Sequence, residues 1–222
     1  MAFHHSPRIV SDGLILTLDG ANVKSYPGSG TTWSDISGGR TGTLLNGPAF
    51  STAGGGSIDF DGSNDHITFD STITQLSDYT INAWFFIDTN TAGQGVISWG
   101  QAASGKRRAM LIWNGGSGVN YYLRSSTHGS NPAGTTVMSS GQWWNGTVSV
   151  ASNGTAKIYV NGALETTSTN TLNSPSINTL YVGRTGAGEY FNGKIAIVNV
   201  YNRVLSDAEV LHNYNAMKVR FE

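Results

Sequence analysis

The stretch SIDFDGSNDHITFD, Ser57–Asp70, holds four aspartates, an asparagine and a histidine in fourteen residues. A metal site, a catalytic carboxylate cluster and a pair of strands around a polar turn all share that composition, and spacing separates them. In an extended chain alternate side chains point to opposite faces. Ile58 and Phe60 therefore share one face, with Asp59 and Asp61 on the other. After Gly62-Ser63-Asn64-Asp65, Ile67 and Phe69 return to the apolar face while His66, Thr68 and Asp70 point away. The pattern predicts a hairpin with a solvated outer face. As an EF-hand loop starting at Asp59 it fails, because Asn64 stands where the sharp-turn glycine belongs and Asp70 where the bidentate glutamate belongs. Asp61 and Asp65 bracket the turn and are its remaining metal candidates, for calcium, which accepts carboxylates and turn carbonyls in loose geometry. The competing role is structural, with Asp61 and Asn64 accepting amide hydrogen bonds within the turn.

The same period of two runs along the chain. GLILTLDG, SIDFD, HITFD, YTINAWFFID, GVISWG, RAMLIWN, VNYYLRSS, WWNGTVSVA, AKIYVNGAL, TLYVGR and KIAIVNVYNR are each rich in Val, Ile, Thr and aromatic residues and are bounded by Gly and Asn turns. Eleven such segments predict an all-β antiparallel sandwich or barrel. Asn153-Gly154 and Asn161-Gly162 sit where type I′ hairpin turns want positive φ. Two Asn-Gly-Thr sequons start at Asn145 and Asn153; the first reads as a strand position and the second as a turn. One segment changes period. In VLSDAEVLHNYNAMKVRF, Ser206 and Glu209 form a capping box, Leu205 staples to Val210, and Val210, Leu211, Tyr214 and Met217 share a helical face. This predicts one helix over about 206–218 that seals an edge or end of the sandwich, with residues 1–10 as an arm and 11–222 as the domain.

Composition narrows the function. Charged residues make up 12% of the chain and the net charge is −1, so no broad field draws nucleic acid or an anionic membrane. Lys106-Arg107-Arg108 reads as a solvated loop beside AASG. There is no cysteine, which excludes disulfides and thiolate metal sites. MAFHHSPRIV lacks the apolar stretch of a secretory signal, and no run reaches transmembrane length, so no membrane insertion is expected.

The order IDFDGSNDHITF, YTINAWFFI, QWWNGTVSVASNGTAKIYVNG and LYVGRTGAGEYFNGKIAIVNVYNRVLSDAEV resembles the laminin G-like, concanavalin A-like jelly-roll family over about residues 13–217. DGLILTLDGANVKSYPGSGTTWSDISG and HNYNAMKVRF further resemble a subgroup found among tailed-bacteriophage structural and fibre-associated proteins. The resemblance implies two stacked antiparallel sheets, with Leu14–Leu18 pairing with Lys194–Tyr201. It also implies ligands that are carbohydrates or proteins, some members being glycosidases and some binding calcium at the sandwich rim.

The glycosidase branch is tested by counting. Retaining hydrolysis needs two carboxylates about 5–5.5 Å apart, which glucanases of this fold supply as Glu-x-Asp-x-x-Glu on one strand. The four glutamates here, Glu165, Glu189, Glu209 and Glu222, do not form that motif, and the expectation is no enzyme. No Gly-x-Ser-x-Gly elbow is present. The histidines His4, His5, His66, His128 and His212 lack zinc spacing, and AGGGS is followed by neither Gly-Lys-Ser/Thr nor a helix.

For binding, sugars present C–H faces to aromatic rings and hydroxyls to polar groups. Trp84 and Trp143 read as core. Trp113, Tyr121, Tyr122, Arg124 and Trp144 flank Gly-rich loops and are the ligand candidates. The expected function is a non-enzymatic virion structural protein, capsid-decorating or fibre- or tail-associated, at the particle surface. It would dock to other virion proteins through the arm or the C-terminal helix, and a homo-oligomer is compatible with this. The alternative is a carbohydrate-binding adhesin for host surface glycans.

Overall fold

All eleven expected segments form strands in the computed structural model, which describes residues 8–73, 76–91, 93–101, 106–113, 122–126, 131–169 and 179–222. In chain order the strands are β1 (Leu14–Asp19), β2 (Thr32–Ser34), β3 (Thr41–Leu45), β4 (Ala49–Ser51), β5 (Ser57–Asp61), β6 (His66–Phe69), β7 (Tyr79–Ile87) and β8 (Gln94–Gln101). There follow β9 (Lys106–Trp113), β10 (Tyr122–Ser126), β11 (Trp143–Val150), β12 (Thr155–Val160), β13 (Ala163–Thr169), β14 (Tyr181–Val182), β15 (Asn192–Tyr201) and one helix, α1 (Asp207–Met217). The short strands β2, β3 and β4 lie in Gly- and Ser-rich sequence whose alternation is too brief to read. Lys106–Arg108 opens β9 and is not a loop.

The described strands form two antiparallel sheets. The first runs β13-β12-β11-β7-β15-β5-β4, with β1 also on β15; the second runs β10-β9-β8-β14-β6-β3-β2. Leu16, Leu18, Ile58, Phe60, Ile81, Phe85 and Val198 from the first sheet meet Ile67, Val96, Ile112, Leu123 and Val182 from the second in one buried cluster. Burying each such side chain contributes about 1.5–3 kcal/mol. The expected pairing of the first strand is present, Leu16↔Val200 and Leu18↔Val198. A bulge between Ile195 and Ile197 lies where β15 changes partner from β5 to β1.

Ser57–Asp70 is not a hairpin. β5 pairs with β4 and β15 in the first sheet, whereas β6 pairs with β3 and β14 in the second. The turn at residues 62–65 is therefore an arch that carries the chain from one sheet to the other. A hairpin and an arch both bury Ile58, Phe60, Ile67 and Phe69, so alternation cannot distinguish them. Asn161 (φ 49°) and Gly162 (φ 77°) form the expected two-residue turn between β12 and β13. At Asn153-Gly154 only Gly154 has positive φ (87°), and the connection is longer, closed by Gly154 N donating to Ala151 O at 2.9 Å. Asn145 is a fully buried strand residue.

The helix begins as expected. Ser206 N donates to Glu209 Oε2 (2.8 Å), Glu209 N donates to Ser206 Oγ, and Leu205 and Val210 share a buried cluster. Its inward face is Val210, Asn213 and Ala216, while Leu211 is 47% exposed. The reason is that α1 covers a face of the first sheet and not an edge. Tyr214 and Phe221 stack on Trp84 of β7 at 5.6 and 4.2 Å, and Asn213 Nδ2 donates to the Tyr201 hydroxyl of β15. Of the expected arm, residues 8–10 reach this helix, Val10 N donating to Asn213 Oδ1 and Arg8 O contacting His212 Nε2, both at 2.8 Å. Residues 1–7 lie outside the described residues.

Candidate glycan-binding face

With α1 on the first sheet, the outer face of the second sheet carries the side chains that are neither core nor covered by the helix. The six tryptophans divide accordingly. Trp33, Trp84, Trp99 and Trp144 are buried. Trp144 was expected near a ligand, but β11 is a central strand and its indole Nε1 donates to Ser139 O at 3.0 Å. Trp143 is half-buried between Phe86 and Phe221, at 5.6 and 4.9 Å. Only Trp113 remains half-buried on the second sheet. In the β9–β10 register Ile112 and Leu123 face each other and are fully buried, which turns Trp113 and Arg124 to the outer face. The sequence-selected pair does meet: the Arg124 guanidinium carbon lies 5.1 Å from the Trp113 ring centroid. Tyr122 is placed opposite Trp113 by the backbone register; Tyr121 and His128 lie outside the described residues.

The middle of this face is built by the turn between β14 and β15. Arg184 and Tyr190 form a bridge across it, and Thr185 N and Gly95 N both donate to Glu189 O. The turn lies directly on β8, where a Cβ at Gly95 would sit 2.5 Å from both Arg184 C and Thr185 N. Gly93 continues the surface sideways, since a Cβ there would lie 3.0 Å from Trp113 Cζ3 and 3.2 Å from Glu189 Cγ. Trp113 and Glu189 thus meet across Gly93. Thr185 Oγ1 donates to Glu189 Oε2 at 2.5 Å and fixes the carboxylate.

Beyond the turn a second aromatic-cation group stands on β14 and β6. The guanidinium carbon of Arg184 lies close to two phenol rings, 4.6 Å from the Tyr181 centroid and 5.1 Å from that of Tyr190. Its Nε donates to Thr185 O at 3.1 Å. His66 meets the same two rings at 6.0 and 6.1 Å, and its Nδ1 is 2.8 Å from Asn64 O. A carbonyl oxygen can only accept, so in the neutral ring Nδ1 carries the proton and Nε2 is left as an acceptor. His66 points to the outer face as alternation required, but the tyrosines bury it to 8% exposure. None of His66, Tyr181, Arg184 and Tyr190 was singled out for binding by the sequence. The available signal was Tyr181 standing between the core residues Leu180 and Val182.

Asp61 and Asp65 come together at the rim of the arch. Asp61 Oδ1 accepts from Ser63 N (2.8 Å) and Asn64 N (3.3 Å), which hold its carboxyl below the usual carboxylate range. Asp65 Oδ2 accepts from Asp61 N at 3.1 Å, while its Oδ1 is buried without a partner. Burial first, and then the charges of Asp61 and Asp59, push the Asp65 carboxyl up. A cavity of about 290 Å³ opens here, lined by Asp59, Asp61, Asp65, Asp88 and Asn192. Lys194 neutralises Asp59 and Asp88 at 3.5 and 2.8 Å. Among the described residues no three His, Cys, Asp or Glu side chains converge on one metal position. A calcium ion would therefore be held by the unpartnered Asp65 oxygen, Asp61 and turn carbonyls. A larger cavity of about 650 Å³ lies under α1 and carries no aromatic ring in its lining. It does not offer the platform a sugar needs.

Fold and face together define a lectin-like β-sandwich. Residues 61–211 match the family described as the concanavalin A-like lectin/glucanases superfamily, more than half the chain, and the protein belongs to it. Among solved structures it is similar to domain 4 of AbnA, an extracellular GH43 arabinanase from Geobacillus stearothermophilus, in complex with arabinotriose. The TM-score is 0.71 at 19% identity over 90% of this chain and 98% of that one. It is also similar to the Trypanosoma rangeli sialidase in complex with sialic acid (TM-score 0.67, 16% identity, 94% and 33% of the chains). A third match is the botulinum neurotoxin serotype G binding domain (0.68, 18%, 90% and 50%). The chain thus spans about a third of the sialidase and half of the toxin domain. No curated protein matches the sequence.

These matches overturn the expectation of no enzyme, which rested on one missing motif. The fold occurs in chains that are an arabinanase domain and a sialidase. The physical reason the inference fails is that catalytic carboxylates need proximity in space, not a common strand. No helix among the described residues is long and apolar enough to cross a membrane.

Proposed function

We propose that this chain binds glycans on the outer face of its second sheet, across Trp113, Arg124, Tyr181, Arg184 and Tyr190. One observation carries the reading: Trp113 and the Tyr181–Tyr190 pair, each accompanied by an arginine, share the sheet face that α1 leaves open. Ring faces and rims of this kind take the C–H side of a sugar, and fixed arginine donors take its oxygens. The arabinotriose bound by the similar arabinanase domain supports a saccharide as ligand. The resemblance of the opening and closing segments to tailed-phage proteins supports a virion surface as the setting and host surface glycans as the targets. Many copies on a particle would raise a weak single-site affinity through avidity. A glycan array probed with a multimerised form of the domain tests the reading. Binding that falls when Trp113 is replaced by alanine supports it, and a blank array that includes host polysaccharides overturns it.

A second reading concerns the arch. Calcium at Asp61 and Asp65 is favoured by a buried carboxylate oxygen left without a partner among the described residues, Asp65 Oδ1.

A further inference from the structure

We infer that the glycan taken by this face is an acidic one, held through a sugar carboxylate at Arg184; the inference rests on the glycan-binding reading above. Arg184 is a fixed cation on the face. Its guanidinium carbon lies 4.6 Å from the Tyr181 ring centroid and 5.1 Å from that of Tyr190, and Nε donates to Thr185 O. Those three contacts restrain the group and leave Nη1 and Nη2 as its uncommitted donors. Among the described residues no carboxylate or carbonyl pairs with either Nη atom. Natural ion pairs elsewhere in the molecule show the contrast: Arg203 is closed by Glu209 and Asp12, and Arg220 by Asp19.

Two guanidinium N–H groups side by side match the two oxygens of a carboxylate, and a side chain already held by three contacts has less freedom to lose on binding. Neutral hydroxyls gain no comparable advantage from a pre-oriented cation. His66 packs against the same two rings and leaves Nε2 as an acceptor.

Uronic acids and sialic-type keto sugar acids both carry this carboxylate, and matched pairs distinguish them. Binding to the intact chain is measured by calorimetry for trigalacturonate against its methyl ester, for 3′-sialyllactose against lactose, and for a sulfated lactose. In at least one pair the carboxylate form is expected to bind about 10- to 100-fold more tightly than its neutral partner. Arg184→Met should abolish that preference, so that acid and neutral forms bind alike, and Arg184→Lys should keep charge but restore only part of the preference. A preference that survives Arg184→Met overturns the inference, as does a sulfated sugar binding as well as the carboxylated one. Equal binding of acid and neutral forms overturns it and leaves the glycan reading standing. Absence of binding to any saccharide overturns both. Melting curves confirm folding, and if Arg184→Met does not fold, the acid-against-ester comparison on the unsubstituted chain decides.

Discussion

Asp65 is the residue at which structure and composition disagree most. Its Oδ1 is buried with no partner and its carboxyl is pushed up mainly by burial. A carboxyl whose folded-state value is raised binds its proton more tightly when folded, so it costs stability once pH rises through its ordinary range and is relieved as pH falls. Without metal, Asp65→Asn is therefore expected to be neutral or stabilising near neutral pH in a thermal melt. Calcium would reverse this. The unsubstituted chain should gain Tm with excess Ca²⁺ over EDTA, and Asp65→Asn should not; an unchanged Tm in the unsubstituted chain would sink the metal. The sequence singled out Asp61 and Asp65 because their spacing around a turn is local and readable. Arg184 was not readable in the same way, because its value comes from two rings and a carbonyl that only the β14–β15 turn brings around it.

At the scale of elements, α1 shows how much of a helix is written locally. Ser206, Glu209, Leu205 and Val210 announce its start within six residues, and all four take the expected roles. The packing face was legible in part: Val210, Tyr214 and Met217 pack on the sheet as expected and Leu211 does not, while Asn213 takes a buried place that an apolar pattern would not assign. Arg203 reaches both Glu209 oxygens at 3.0 and 2.6 Å and, ahead of the Ser206 amide, holds the glutamate down to about 2. A depressed carboxyl adds stability that is present above its unfolded value of 4.5 and lost as pH falls towards about 2. Glu209→Gln should accordingly lower stability by roughly 1 kcal/mol at neutral pH, through cap and pair together. It should also flatten the fall in Tm between pH 4.5 and 2. A melt that stays as acid-sensitive as before would contradict this. The turn on β8 gives a second test. A Cβ at Gly95 meets backbone, not a flexible side chain, so Gly95→Ala should cost about 1–3 kcal/mol and displace Arg184 from Tyr181. Saccharide affinity should fall with it; full affinity would show that the turn does not build the face.

Across the whole molecule the two sheets are treated differently. The first is sheathed by α1 and by the segment after it, where Phe221 stacks 4.2 Å from Trp84 and Arg220 ties Asp19 at 2.7 Å and the carbonyls of Gly54 and Gly56. Phe221→Ala should therefore lower stability by about 1–3 kcal/mol with saccharide binding unchanged, whereas Trp113→Ala should do the reverse. Period-two alternation made the sandwich legible from sequence, because each buried face writes its own pattern. It did not reveal that Ser57–Asp70 crosses between sheets, since a crossing buries the same residues as a hairpin. Nor did it show which aromatic face stays open, a property of the covering helix. The most direct measurement of the central claim is a saccharide titration followed by the indole N–H resonances of the tryptophans in the intact chain. The expected result is a saturable shift of Trp113 while Trp84, under α1 and Phe221, stays fixed. Shifts at Trp84 with Trp113 unmoved would place the ligand on the other sheet and contradict the account.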